Sequence, residues 1–260
     1  METKDLGSWE EFEATISTFL AKWQKLKQEK PSGHVSTPLF RGHADASWKL
    51  ETTLERFRGR TFSGTEYHRI IRKVRPAVVS LTEKPWKIPI RFKPNIPIPG
   101  YAFMVYLRHH GFPSPLLDWT RSPFVAAFFA FRTQHTPQDG KVAIYAYVEW
   151  AGEGRLLGGG QPTIRGLGPY VVTHKRHYAQ QCEYTICWKE INGNWEYASH
   201  EAAFTNTADD AIDQGTLTKY TVPVSERAKA LERLHRVNIT AFSLFGSEES
   251  LMETLAHTEI

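Results

Sequence analysis

The stretch LLDWTRSPFVAAFFAF, residues 116–131, sets Asp118, Trp119, Thr120 and Ser122 between two apolar runs. LLDW reads as a short strand. Ser122-Pro123 reads as a helix start, because serine caps a helix and proline suits its first turn. The interruption therefore falls at a strand-to-helix junction. The leucines of the strand should bury, so the acid among them needs a partner: an arginine such as Arg41 or Arg176, or backbone donors.

Outward from this junction the chain alternates helices and strands irregularly. Trp9, Phe12, Ile16, Phe19 and Trp23 recur at helical spacing across residues 9–28, with Ser32-Gly33 in the turn that follows. TPLFRG reads as a short strand, Thr65 to Leu81 as a helix, and Tyr101 to His110 as another, ended by Gly111. Between these last two lies KPWKIPIRFKPNIPIPG, residues 84–100, whose five prolines exclude both helix and central strand. KVAIYAYVEW, residues 141–150, is the clearest strand, with Val142, Ile144, Ala146 and Val148 on one face. GEGRLLGGG, residues 152–160, reads as a loop, and CEYTICW and TLTKYTVP as strands. Helices are expected at Ser225–Val237 and Glu248–His257. The pattern predicts an α+β fold in a single domain, 37–260, with residues 1–36 as an N-terminal helical extension.

With 41% hydrophobic residues in 260, the chain can fill a substantial core. Its longest apolar run, Phe124 to Phe131, is far shorter than the roughly 20 residues of a membrane span, so no membrane partner is expected. The N-terminus lacks the basic and apolar blocks of a secretory signal, which points to a cytoplasmic protein. Cys182 and Cys187, five apart, point to opposite faces of a strand and make no disulfide framework.

Charge is uneven. Residues 41–110 hold 14 Lys or Arg against 5 Asp or Glu, whereas residues 191–260 hold 5 against 11. The basic half suits a polyanionic partner, and the proline-rich loop presents Lys87, Arg91 and Lys93 as candidate contacts. A solvated basic face is the competing reading.

Several chemistries are set aside. The glycine loop matches neither nucleotide-binding fingerprint, and no Gly-x-Ser-x-Gly turn offers a hydrolase nucleophile. His109-His110 and the set His174, His177, Cys182 lack the paired spacings of structural zinc sites, and adjacent histidines do not easily turn to one ion. No metal is expected.

Three separated blocks carry a resemblance: PLFRGHADASWKL (38–50), HHGFPSPLLDWTRSPFVAAFFAF (109–131) and HKRHYAQQCEYT (174–185). Together they resemble the FRG domain, named for its Phe-Arg-Gly stretch, here Phe40, Arg41 and Gly42. The likeness continues to about residue 246. It departs at Arg108, where the family commonly has glutamine, at Ser114-Pro115 in place of Thr-Arg, and at Cys182, where glycine often stands.

The order of the blocks is in turn similar to ADP-ribosyltransferases of the arginine, serine, glutamate class: an early strand arginine, a central strand ending in Ser/Thr before a helix, and a late strand opening with Gln/Glu-x-Glu. That resemblance implies a mixed, split β-sheet core flanked by helices, and a mono-ADP-ribosyltransferase using NAD as co-substrate. Arg41 would bind the NAD pyrophosphate or nicotinamide ribose as a guanidinium fork. Gly42, Trp119, Thr120 and Ser122 would complete the NAD pocket. Glu183 would stabilise positive charge developing on the ribose, and Gln181, on the same strand face, would position the acceptor. Asp118, His110 and Arg176 would support these groups. The acceptor expected from the basic segment is nucleic acid, single-stranded RNA first, with protein second. Such an enzyme resembles toxin-antitoxin or phage-defence effectors, which implies an antitoxin-type inhibitor. The alternatives are a non-catalytic nucleotide- or RNA-binding module and, residue by residue, purely structural roles. In those, Arg41 is the ion-pair partner of Asp118, Thr120 to Pro123 form a helix cap, and Gln181 and Glu183 face outward on an edge strand.

Overall fold

A strand-to-helix junction builds a layer only if both elements find partners, and here they do. A computed structural model describes residues 1–31, 35–93, 98–151, 160–173, 175–205 and 215–260. Its strands are β1 (Glu2–Asp5), β2 (Leu39–His43), β3 (Leu116–Thr120), β4 (Lys141–Val148), β5 (Thr163–Gly166), β6 (Cys182–Ile191), β7 (Asn194–Tyr197) and β8 (Thr216–Pro223). Its helices are α1 (Trp9–Glu29), α2 (Thr53–Arg58), α3 (Gly64–Thr82), α4 (Tyr101–His109), α5 (Pro123–Arg132), α6 (Arg176–Ala179), α7 (Ala202–Thr205), α8 (Arg227–Arg236), α9 (Ala241–Phe245) and α10 (Glu248–Glu259). The expected glycine loop lies almost wholly outside the described residues, as does the turn at Ser32-Gly33.

All eight strands join one mixed sheet in the order β1-β8-β4-β2-β3-β6-β5, with β7 also on β6. Among the described residues only the pairing of β1 with β8 is parallel. The α+β expectation holds. The alternation of β6 explains its packing: Cys182, Tyr184, Ile186 and Trp188 face α3 and α4, while Cys187 joins the opposite face with Leu117 and Trp119. The two cysteines thus lie on opposite faces and are free thiols. On β4, Val142, Ile144 and Ala146 share one face and join one cluster, while Ala143, Tyr145 and Tyr147 fill the cluster on the other, so both faces are covered.

The first 36 residues are not an appended extension. Trp9, Phe12 and Ile16 of α1 pack into one cluster with Phe40, Phe131, Ile144 and Val222, and β1 closes the sheet edge. The helix reading captured the apolar stripe but missed the strand, whose side chains are all exposed and carry no apolar alternation.

β2 lies close to α5 because of one glycine. A Cβ added at Gly42 would sit 1.9 Å from the Ala126 carbonyl oxygen. The Phe-Arg-Gly order therefore gives an apolar residue facing the helix, a cation on the other side, and a gap into which the helix backbone fits. No helix among the described residues is long and apolar enough to cross a membrane.

Candidate functional site

The sheet nearly parts in the middle. β2 pairs with β4 from Leu39 to His43, and β3 pairs with β6 from Leu116 to Thr120, yet β2 and β3 meet only at Phe40 and Thr120. Arg41 fills the opening. Its Nη1 donates to the Asp118 backbone carbonyl at 2.7 Å and to the Asp118 carboxylate at 2.9 Å, so a side chain replaces the strand-to-strand hydrogen bonds. Its Nε donates to His43 Nε2 at 3.1 Å. His43, two residues on and on the same strand face, is therefore neutral, and burial followed by the Arg41 charge lowers its pKa to about 3.

Asp118 serves two arginines. Arg108, from α4, donates to the same carboxylate oxygen at 2.7 Å. Burial would raise the Asp118 pKa, but Arg108 and Arg41 outweigh it and hold the carboxyl far below the ordinary carboxylate range. The pairing with Arg41 is as expected from the sequence. Arg176 is not the partner; its guanidinium lies over the Phe245 ring instead. His110 caps α4, is exposed, lies against the Tyr106 ring at 4.3 Å and does not line the cavity beside Arg41.

Beside this triad opens a cavity of about 300 Å³, at the small end of ligand sites. Arg41, Gly42, Trp119 and Thr120, all singled out in the sequence, line it. So do Arg56, Trp48 and His135, which sequence reasoning missed. Asp45, buried, orients His135 through its Nε2 at 3.2 Å, and the Trp48 and His135 rings lie 5.3 Å apart. The lining combines two guanidiniums, aromatic faces and one carboxylate already shared between two arginines. Such a surface favours an anion carrying a planar ring.

The three expected motifs lie on neighbouring strands, β2, β3 and β6, but they do not all face one cavity. Thr120 stands opposite Cys182, and Trp119 opposite Glu183. Glu183 is buried and forms an ion pair with Arg121 Nε. Neither Glu183 nor Ser122 lines the Arg41 cavity. Gln181 does not share a strand face with Glu183: β6 begins at Cys182, and Gln181 precedes it at a φ of 50°, exposed, its carbonyl accepting from Arg121 N. β6 is interior to the sheet, which removes the edge-strand reading.

Ser122 does cap α5, accepting from Val125 N at 3.2 Å, while its own N–H donates to Thr120 Oγ1. Trp119 packs against Tyr147, and its Nε1 donates to Thr185 Oγ1 at 2.8 Å, which is in turn 2.9 Å from His200 Nε2.

The basic segment is only partly a solvated face. Arg41 and Arg108 are consumed by Asp118, Arg60 pairs with Glu66, and Arg75 donates to the Trp86 carbonyl. Lys87, Arg91 and Lys93 are exposed on an irregular segment held to α3 by His68 and Arg72, which bond the Pro89 and Ile90 carbonyls. None of the three lines the Arg41 cavity.

Residues 36–139 match the family model of the FRG domain. No curated protein and no solved structure matches the chain.

Proposed function

The chain carries an FRG domain, and on that premise we propose that it is an NAD-dependent mono-ADP-ribosyltransferase whose acceptor is nucleic acid, single-stranded RNA first. The observation that carries the reading is the adjacency of β2, β3 and β6. Arg41, Thr120 and Glu183 come from three segments well separated in the chain and reach one level of the sheet through the Phe40–Thr120–Cys182 register.

NAD is a substrate here, and the residues fit its demands in part. Arg41 is held by Asp118 and His43, and its Nη2 has no protein hydrogen bond among the described residues. A guanidinium fixed in this way binds a pyrophosphate oxygen with little ordering cost. Trp48 and His135 offer flat faces to a ring. Breaking the nicotinamide–ribose bond leaves positive charge on the ribose, and the carboxylate of Glu183 stabilises that charge once Arg121 moves aside. The acceptor supplies the attacking oxygen or nitrogen and loses its proton. In this role the protein resembles a toxin-like effector held in check by an inhibiting partner.

The ion pair of Glu183 with Arg121 supports a second reading, a nucleotide- or RNA-binding module without chemistry. Incubating the protein and its Glu183→Gln variant with adenine-labelled NAD and whole-cell extract separates the two. Label entering nuclease-sensitive material with the wild type alone supports the transferase. Protease-sensitive label changes the acceptor to protein. NAD binding measured by calorimetry in both forms, with no label transferred by either, leaves the binding module.

A further inference from the structure

Where α4 ends, α6 begins and β6 starts, two imidazoles and a thiol converge. His109, the last residue of α4, His177 of α6 and Cys182, the first of β6, place one ligand atom each within 4.8 Å of one another. The trio takes one histidine from each of the two groups read in the sequence, and its thiol from the second group.

We infer that His109, His177 and Cys182 form a binding site for a divalent transition metal, zinc first, with the Tyr184 phenol or a water in the fourth position. Two imidazole nitrogens and a thiolate are a donor set that suits zinc. His177 Nε2 lies 2.9 Å from the Pro169 carbonyl and must donate to it, which leaves Nδ1 as a lone pair turned inward. Metal-ligating histidines are held in this way. The Tyr184 oxygen sits 2.6 Å from His109 Nε2 and 3.2 Å from His177 Nδ1, on the same face of β6 as Cys182. Two ring nitrogens thus already aim at one point beside the thiol.

Tetrahedral zinc needs bonds of about 2.1 Å to nitrogen and about 2.3 Å to sulfur. The three side chains would close by roughly an ångström to meet them. Binding deprotonates Cys182 and releases that proton to solvent. It would pin the end of α4 and the short α6 to the start of the strand that carries Glu183. The inference does not rest on the transferase reading.

The test uses the full chain without an affinity tag. Metal content is measured after dialysis against zinc, and chelator-stripped protein is then titrated with cobalt(II). One retained zinc per chain is expected, with a thiolate-to-cobalt charge-transfer band in the near ultraviolet that Cys182→Ser abolishes. His177→Gln should weaken zinc binding at least tenfold. Folded wild-type protein, checked by circular dichroism, that retains no zinc and gives no cobalt band overturns the site. So does a band that survives in Cys182→Ser, since Cys187 is the one other thiol.

Discussion

Arg41 donates through one nitrogen to both the side chain and the main chain of Asp118, at 2.9 and 2.7 Å, so an ion pair bridges β2 and β3, which share a single register pair. Replacing the acid by its amide leaves two guanidiniums facing each other with no counter-charge. Breaking a buried pair costs about 3–5 kcal/mol. The Asp118 side chain is 36% exposed, which moves the expected cost of Asp118→Asn to about 2–3 kcal/mol. Urea denaturation of both forms measures it. Because Asp118 has a depressed pKa, its contribution is complete above the unfolded carboxylate value and is lost as pH falls toward its folded value. Below about pH 4 the stability of the variant should therefore fall less steeply than that of the wild type.

Two histidines oppose acid in the same direction. Burial lowers His43 and His200 to about 3, with Arg41 adding to the effect at both. Unfolded, each takes up a proton near pH 6.5, so the unfolded state binds more protons and stability rises with pH between about 3 and 6.5. The slope approaches about 1.4 kcal/mol per pH unit for each. Proton NMR should find both rings neutral at pH 5 in the folded protein. A midpoint near 6.5 for either would contradict the buried network.

Gly42→Ala should be among the most damaging small substitutions. The methyl group meets the Ala126 carbonyl at 1.9 Å and Ala130 N at 2.7 Å, both backbone atoms of a packed helix. Separating β2 from α5 should cost about 3 kcal/mol or more, seen as a lower melting temperature without any effect that depends on added nucleotide.

Arg121→Ala and Glu183→Gln should behave differently. The Arg121 side chain is 43% exposed, so losing its pair should cost at most about 1 kcal/mol of stability. In the labelling assay Arg121→Ala should keep or raise transfer, while Glu183→Gln should lose at least about 100-fold. Equal loss in both variants would make the pair structural.

Thr185→Val tests the polar thread on the opposite face. Thr185 Oγ1 accepts from Trp119 Nε1 and shares a hydrogen bond with His200 Nε2, and all three residues are buried. Its removal takes this partner from both rings, for an expected loss of about 1–3 kcal/mol with the packing otherwise retained.

The sequence was most legible where a local rule coincides with a packed element. The Ser122-Pro123 helix start and the strand TLTKYTVP appear at the expected positions. Asp118 among leucines foretold an arginine partner. Short elements were not legible: α2, α6, α7 and α9 span too few residues for a period to register, and β5 and β7 are set by pairing with β6. At the site, Arg41, Trp119 and Thr120 line the cavity, yet Arg56 and His135 join it only through tertiary folding. Arg108 was visible as a departure from the family pattern, but its bond to Asp118 depends on how α4 crosses β3. Gln181 does not share a face with Glu183 because the alternation rule was extended one residue before the start of β6, into a left-handed turn.

The strand order has a consequence for how this chain can be made and cut. The segment that carries the family likeness, residues 36–139, contains β2 and β3 but neither β4 nor β6, their fully paired neighbours. Expressed alone, it would present two strands joined at a single residue pair, each with an open edge. During synthesis the N-terminal strand must likewise wait for residues 216–223 before its partner exists. The matched segment therefore lacks the long-paired neighbours of both its strands, and the native sheet cannot close until residues 216–223 have been made.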